Sequence, residues 1–267
     1  MDEFRSWLGR TQEREDRMDP GRSNALLRAL GSEVTVGNGD ALIALHHWIH
    51  FWDVAPPNET GPDGHPRRGG FLPPISLPRR MWAGGRLTFR EPLRYGETVR
   101  RASTIRSIER KSGRSGELIF VTVSHRLEGA GGGVVEEEQD LVYRDEGGSA
   151  APTAEDGASI ESVYADPVLL FRYSALTMNS HRIHYDQPYA TGIEHYPDLV
   201  VHGPLQATLL ADLAGRHLGR PLADFAFRGV SAAIAGERIY LHAVSGQAGL
   251  ALSTSQSGQR RMSARAG

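Results

Sequence analysis

The sequence predicts an α+β protein of two halves, each with helical sequence followed by antiparallel strands. The first observation is a Gly-, Ser-, Ala- and acid-rich segment, Asp145 to Ser159, which reads as a linker. The second is that on each side of it an apolar stretch with helical features precedes several short strands of alternating polarity. We therefore expect a duplicated architecture with domains at residues 1–147 and 160–267.

The N-terminal half begins with helical sequence and ends in strands. Asp40 to Trp52 (DALIALHHWIHFW) is predicted to be a core helix, and a Pro/Gly-dense loop follows from Pro56 to Pro78. Alternating apolar residues then predict strands, with glycine-rich turns between the last three of them: Leu87–Phe89, Val99–Ile108, Leu118–Val123 and Val134–Tyr143.

The C-terminal half contains a histidine-rich segment and then a helix with clear signals at both ends. Gly203-Pro204 suits the first turn, because proline loses no useful hydrogen bond there. Leucines repeat along it at helical spacing, and Gly219 and Pro221 are typical of its end. Strands are predicted after it, over Arg238–Ser245 and Gly249–Thr254.

The composition excludes several classes of protein. The net charge is −2 and no basic face is evident, which argues against nucleic-acid binding. The absence of cysteine excludes disulfides, thiolate nucleophiles and iron–sulfur clusters. The acidic N-terminus lacks the apolar stretch of a secretory signal, and no apolar run reaches the roughly 18 residues of a membrane helix. We expect a cytoplasmic protein with no membrane partner.

The densest set of reactive side chains lies between Ser174 and Ala190 (SALTMNSHRIHYDQPYA), followed by VVHGP at 200–204. These motifs resemble the active-site segment of the MaoC-like, R-specific enoyl-CoA hydratase family, most closely its branch of mesaconyl-C4-CoA and itaconyl-CoA hydratases and hydroxyacyl-thioester dehydratases. The segment GHPRRGGFLPPISLPRRMWAGGRLTF resembles the degenerate first domain of that branch. The resemblance covers most of residues 60–260 and implies a double hot-dog fold, in which two antiparallel sheets each wrap around a helix.

The resemblance also implies roles for individual residues. His184 matches the catalytic histidine, and the amide of Gly203 matches the group that faces the thioester carbonyl. The family's catalytic aspartate falls on Asn179, whose amide cannot exchange a proton at neutral pH. We expect Asn179 to orient water or substrate, with His184 making both proton transfers unless Asp186 shares them. Candidates for contacts with the substrate are His181, Tyr185, Arg182 and Arg228, with Arg79 and Arg80 as further candidates for CoA phosphates or a substrate carboxylate.

The chemistry of hydration fits these residue types. Adding water across a double bond conjugated to a thioester needs a base for the water and stabilisation of an enolate oxygen. Histidine, with an ordinary pKa near ~6.5, can act as base and then as acid. Free amides at a helix N-terminus can hold the oxyanion. We therefore predict an acyl-CoA hydratase or dehydratase with no metal or redox cofactor, CoA being part of the substrate. The resemblance suggests mesaconyl-CoA or itaconyl-CoA as the substrate and citramalyl-CoA as the product. A homodimer is compatible with it.

Two other functions remain open from the sequence. His184 and Asp186, with His242, fit a two-histidine, one-carboxylate iron site, which would make an oxygenase. Because of Asn179, a non-catalytic acyl-CoA binding module is the other alternative. His46, His47 and His50 could also suggest a metal site. Aromatic residues surround them, which favours histidines with polar partners in a core helix over metal binding.

Overall fold

A computed structural model describes residues 3–113, 116–145, 153–155, 157–246 and 249–267. The elements of the N-terminal half are β1 (Thr11–Arg17), α1 (Pro20–Ala29), β2 (Arg79–Glu91), β3 (Thr98–Gly113), β4 (Gly116–Gly129) and β5 (Val134–Arg144). Those of the C-terminal half are β6 (Glu161–Tyr164), α2 (Pro167–Thr177), α3 (Gln187–Gly192), α4 (Gly203–Leu218), β7 (Asp224–Gly229), β8 (Arg238–Gly246), β9 (Gly249–Gln256) and β10 (Gln259–Ala266). Short 3-10 helices lie at Arg5–Trp7, His46–Ile49, Pro57–Glu59 and Arg182–His184.

The ten strands found among the described residues join one antiparallel sheet in the order β1-β3-β4-β5-β2-β7-β10-β9-β8-β6. Outward from the centre, the N-terminal strands run β2, β5, β4, β3, β1 and the C-terminal strands run β7, β10, β9, β8, β6. Each strand thus has a counterpart in the other half, and α1 after β1 corresponds to α2 after β6. The expected helix-and-strand duplication is therefore present in the topology of the sheet.

The two halves meet where β2 pairs with β7. Gly84 and Gly85 lie opposite Arg228 and Phe227 across this seam. A Cβ atom on Gly84 would lie 2.6 Å from the Phe227 carbonyl oxygen, so the close approach of the two strands requires glycine. One hydrophobic core then continues across the seam and includes buried side chains of both halves.

The helix predicted at Gly203-Pro204 is confirmed as α4. It begins at Gly203 and ends at Leu218, and Gly219 after it has the left-handed conformation, with φ of 65°. Its leucines are buried in the core, and it contacts β7, β8, β9 and β10. In the described part of the chain, no helix is both long and apolar enough to cross a bilayer.

The helix predicted over Asp40–Trp52 is wrong. Only a 3-10 turn at His46–Ile49 forms there, and the residues around it are irregular. Side-chain contacts with distant residues override the local helical preference. Trp48 packs against Trp82 and Phe227 at the seam, and it donates a hydrogen bond to buried Glu137 on β5. The described residues of the N-terminal half therefore contain no long helix equivalent to α4.

The three histidines of this segment have polar partners. His47 bonds Glu137 at 2.8 Å, His46 bonds Ser23 at 2.9 Å, and His50 accepts a hydrogen bond from a backbone amide. The predicted strands are present as parts of β2, β3, β4, β5, β8 and β9. The predicted linker lies between β5 and β6, and residues 146–152 and 156 of it fall outside the described residues.

Candidate active site

His184 is held in one orientation by the backbone. It is the last residue of the 3-10 turn after α2, and only 7 % of its surface is exposed. Its Nδ1 lies 2.7 Å from the carbonyl oxygen of Val200, which can only accept. Nδ1 therefore carries the proton, and Nε2 keeps a lone pair. Because His184 lines the large cavity of the protein, this lone pair is available to a bound water.

The ring of His184 lies against the start of α4. It stacks on His202, with 3.7 Å between ring centroids and 19° between planes. His202 is fully buried, hydrogen bonds Ser174 at 2.8 Å and immediately precedes α4. The motif at 174–190 and the motif at 200–204 are thus brought together through one pair of stacked imidazoles.

The N-terminus of α4 opens into the same cavity. No side chain caps it, and both Gly203 and Pro204 line the cavity. A Cβ atom on Gly203 would come no closer than 4.0 Å to Met262 or Trp82, so space remains over the glycine. Free amides at a helix N-terminus next to open space can bind a developing negative charge.

Asn179 and His181 line the cavity beside His184. The side-chain oxygen of Asn179 accepts a hydrogen bond from the His181 amide at 3.0 Å. This leaves the amide nitrogen of Asn179 as a donor toward water or a ligand. The rings of His181 and His184 meet edge to face, with centroids 5.5 Å apart.

Three other predicted site residues form bonds within the protein and are not brought into the cavity. Asp186 accepts from the Tyr189 amide as the cap of α3, and Arg182 binds it at 2.7 Å. Arg182 also stacks over the ring of Tyr189. The hydroxyl of Tyr185 donates to the carbonyl oxygen of Ser180 at 3.0 Å. These contacts fix the shape of the segment that carries His184.

A loop of the N-terminal half also contributes to the site, and the sequence did not indicate it. Asp63 and His65 line the cavity, with Nδ1 of His65 3.0 Å from a carboxylate oxygen of Asp63. The backbone amide of Arg182 donates to the carbonyl oxygen of Asp63 and its guanidinium donates to that of Pro62, which fastens this loop to the segment that carries His184. Gly64 has φ of +90°, and a Cβ atom there would lie 1.9 Å from the Ser180 carbonyl oxygen. The motif Asp-Gly-His within a Pro/Gly-rich loop was the available signal.

Burial keeps the imidazoles of this cluster uncharged. Burial lowers the pKa of His184 to about 4 and that of His181 to about 2, the latter with help from the charge of nearby groups. Burial also lowers the pKa of His65, against the opposing effect of Asp63. The rings of His65 and His181 have centroids 4.2 Å apart. At neutral pH the site therefore holds neutral imidazoles, as a base needs.

One group in the described part of the chain has the spacing of a metal site. Asp63, His65 and His181 offer ligand atoms that all lie within 4.8 Å of one another. Arg68 and Arg80 repel positive charge there, since both depress the pKa of His65. These charges oppose cation binding. The iron site considered from the sequence is wrong: His242 bonds Ser255 on β9 instead of joining His184 and Asp186.

The cavity has a volume of about 2190 Å³ and is lined by both halves of the chain. Arg228 at the seam lines it and is exposed. Arg79 lines it too but is held by Glu194 at 3.3 Å. The neighbouring Arg80 also lines it and is half-buried.

Comparisons with known proteins agree with this architecture. Residues 45–235 match the family model for hydroxyacyl-thioester dehydratase type 2. The chain is 47 % identical over 233 residues to mesaconyl-C(4)-CoA hydratase of Chloroflexus aurantiacus, which covers 85 % of this chain and 83 % of that protein. A MaoC-like dehydratase structure from Phytophthora capsici superposes with a TM-score of 0.73 at 13 % identity, covering 100 % of this chain and 98 % of that one.

A Mycobacterium tuberculosis protein described as a double hotdog fold superposes with a TM-score of 0.60 at 12 % identity, covering 97 % of this chain and 95 % of that one. The predicted double hot-dog fold is therefore confirmed, with its two five-stranded halves joined into one sheet.

Proposed function

Because the chain belongs to the hydroxyacyl-thioester dehydratase type 2 family, a group of hydro-lyases, we propose that it hydrates mesaconyl-C4-CoA to citramalyl-CoA. The 47 % identity to a mesaconyl-C(4)-CoA hydratase supports this substrate. The observation that carries the reaction type is the juxtaposition of His184 with the uncapped start of α4. A base and an oxyanion site stand side by side, as addition of water to an enoyl thioester requires.

In the proposed reaction the thioester oxygen lies against the amide of Gly203. Nε2 of His184 removes a proton from a water held by the side-chain nitrogen of Asn179. The resulting hydroxide adds to the β-carbon, the electrons of the double bond move to the thioester oxygen, and the Gly203 amide stabilises this enolate. The imidazolium of His184 then returns the proton to the α-carbon. The reaction consumes one water and requires no metal or redox cofactor.

In this proposal the remaining predicted residues position other parts of the site and take no part in the proton transfers. Asp186, Arg182 and Tyr185 hold the segment between α2 and α3, through the contacts described above. Arg228 contacts the CoA part of the substrate at the exposed end of the cavity. The catalytic unit is residues 160–267, and residues 1–147 form the other wall of the cavity and supply Asp63 and His65.

The test is to incubate the purified protein with mesaconyl-C4-CoA, itaconyl-CoA and crotonyl-CoA, and to follow the loss of the enoyl-thioester absorbance. We expect the fastest loss with mesaconyl-C4-CoA and citramalyl-CoA as the product. Tight binding of these thioesters with no loss of absorbance would instead support the non-catalytic binding module.

A further inference from the structure

Arg80 differs from the other arginines near the active site. It lies on β2 directly opposite Tyr143 of β5, half-buried, and it lines the cavity. Arg79 is paired with Glu194, and Arg68 donates to backbone carbonyls of the loop at 75–78. Arg80, by contrast, has no carboxylate within 4.0 Å among the residues that the structure describes. A half-buried guanidinium without a counter-charge is costly unless a ligand supplies one.

Arg80 lies at the end of a row of imidazoles that begins at α4. His202 stacks on His184, His184 meets His181, and His181 packs against His65, with centroid separations of 3.7, 5.5 and 4.2 Å. The charge of Arg80 acts on both His181 and His65, which places it close to this far end. The carboxylate of Asp63 is already hydrogen-bonded to His65. Asp63 is ionised, but the charges of both Arg68 and Arg80 act on His65, so the far end of the row keeps a net positive charge.

The proposed substrate has a negative charge at the corresponding place. In mesaconyl-C4-CoA the free carboxylate is attached to the β-carbon, the same carbon to which water adds. When the thioester oxygen lies at Gly203 and the β-carbon lies beside His184, a substituent on the β-carbon points away from α4. On that side of His184 the row of imidazoles continues to His181, on which the charge of Arg80 acts.

We propose that Arg80, with the ring of His181 beside it, binds a carboxylate carried on the β-carbon of the acyl group. This subsite selects dicarboxylic acyl-CoA thioesters over those with a plain alkyl chain. A charged hydrogen bond between a guanidinium and a carboxylate is strong in a partly buried site. The identity of the ligand rests on the proposed function. The same charge of Arg80 disfavours a metal ion at Asp63, His65 and His181.

The test compares binding of succinyl-CoA and butyryl-CoA by calorimetry. These saturated thioesters carry a carboxylate and a methyl group, respectively, on the β-carbon, and neither can be hydrated. We expect the wild-type protein to bind succinyl-CoA at least about tenfold more tightly, and Arg80→Gln to abolish this preference while binding of butyryl-CoA changes less than about threefold. The matched control is Arg90→Gln, on the same strand, where the exposed guanidinium pairs with Glu136.

Kinetics separate this inference from the proposed function. Arg80→Gln should lower kcat/KM for mesaconyl-C4-CoA about 30-fold or more, chiefly through KM, and leave that for crotonyl-CoA nearly unchanged. The proposal is overturned if Arg80→Gln keeps the preference for succinyl-CoA, or if its affinities for succinyl-CoA and butyryl-CoA fall by the same factor. It is also overturned if a chelator abolishes the preference of the wild-type protein for succinyl-CoA, since a metal ion would then bind the carboxylate. If the wild type shows the Arg80-dependent preference but hydrates no enoyl-CoA, the subsite stands and the proposed function fails.

Discussion

The protonation state of His184 is governed by burial and by one backbone carbonyl. No carboxylate contacts its ring among the described residues, because Nδ1 is bonded to Val200 and the opposite face is covered by His202. Asn179 stands where the resemblance to the enoyl-CoA hydratase family implies an aspartate, and its side-chain oxygen accepts from the His181 amide. Burial therefore sets the pKa of the proposed base without help from a paired acid.

This environment predicts the pH dependence of hydration. The pKa of His184 is lowered to about 4 in the folded protein, so its base form predominates above that pH and is lost as the pH falls through it. We expect kcat/KM to be flat between about pH 6 and 8 and to fall only near pH 4. Circular dichroism at each pH would identify loss of fold. An inflection near pH 6.5 with the fold intact would contradict the assignment.

His184 itself is tested by substitution. His184→Ala removes the proposed base, and we expect kcat to fall at least about 1000-fold, since general base catalysis by a positioned group contributes about 10²–10⁴-fold. The control is His217→Ala, because His217 is exposed near the end of α4, away from the cavity. Similar melting temperatures for both variants would show that the loss is chemical. Retained activity in the His184 variant would exclude it as the base.

Side chains next to each other in sequence were easier to assign than those that meet only in the fold. His184, Asn179 and His181 lie within six residues, so a single motif contains three residues that line the same cavity. Asp63 and His65 reach the site from more than a hundred residues away, and the motif Asp-Gly-His that contains them does not by itself show what it contacts. The sequence left open whether Asp186 shares the proton transfers of His184, two residues before it. The capping of α3 by Asp186 depends on backbone geometry that spacing alone does not give.

Among the secondary-structure elements, α4 was predicted well because its signals are local. Proline at its second residue, leucines at helical spacing and glycine after its last residue act without distant partners. The segment at 40–52 has similar apolar spacing, but Trp48 is drawn to the seam and to Glu137. Tertiary contacts therefore determined the conformation of the segment at 40–52. The same competition explains why one half keeps a long helix and the other does not.

The proposed role of the first turn of α4 in binding the thioester oxygen can be tested by adding a methyl group at Gly203. In Gly203→Ala the new Cβ has room, at 4.0 Å from its neighbours, but it enters the space over the amide where the thioester oxygen is proposed to lie. We expect kcat/KM to fall at least about tenfold with little change in stability. Gly215→Ala is the control, since that glycine lies within the same helix with nothing within 4 Å of its Cβ.

In the control, activity should be unchanged and stability should rise by about 0.5–1 kcal/mol, the usual advantage of alanine over glycine inside a helix. Urea unfolding of both variants gives the stabilities. Equal activity in the two variants would mean that the start of α4 does not face the reacting oxygen.

For the complete chain, the continuity of the sheet depends on the seam between β2 and β7. Gly84→Val places a branched side chain within 2.6 Å of the Phe227 carbonyl oxygen, so the two strands must separate. We expect a loss of several kcal/mol in the free energy of unfolding, seen as a large drop in melting temperature. Gly70→Val, in an exposed loop with nothing within 4 Å, is the control. A Gly84 variant as stable as this control would contradict the close contact.

The meeting of two unlike halves around one cavity has a consequence for how such a protein can diversify. The proposed water-handling groups come from one repeat, whereas Arg80 and the Asp63–His65 loop come from the other. Preference for an acyl group can therefore drift through changes in the first repeat alone, leaving the reacting atoms of the second undisturbed. A cavity shared between two unlike repeats thus lets selectivity and reactivity change separately.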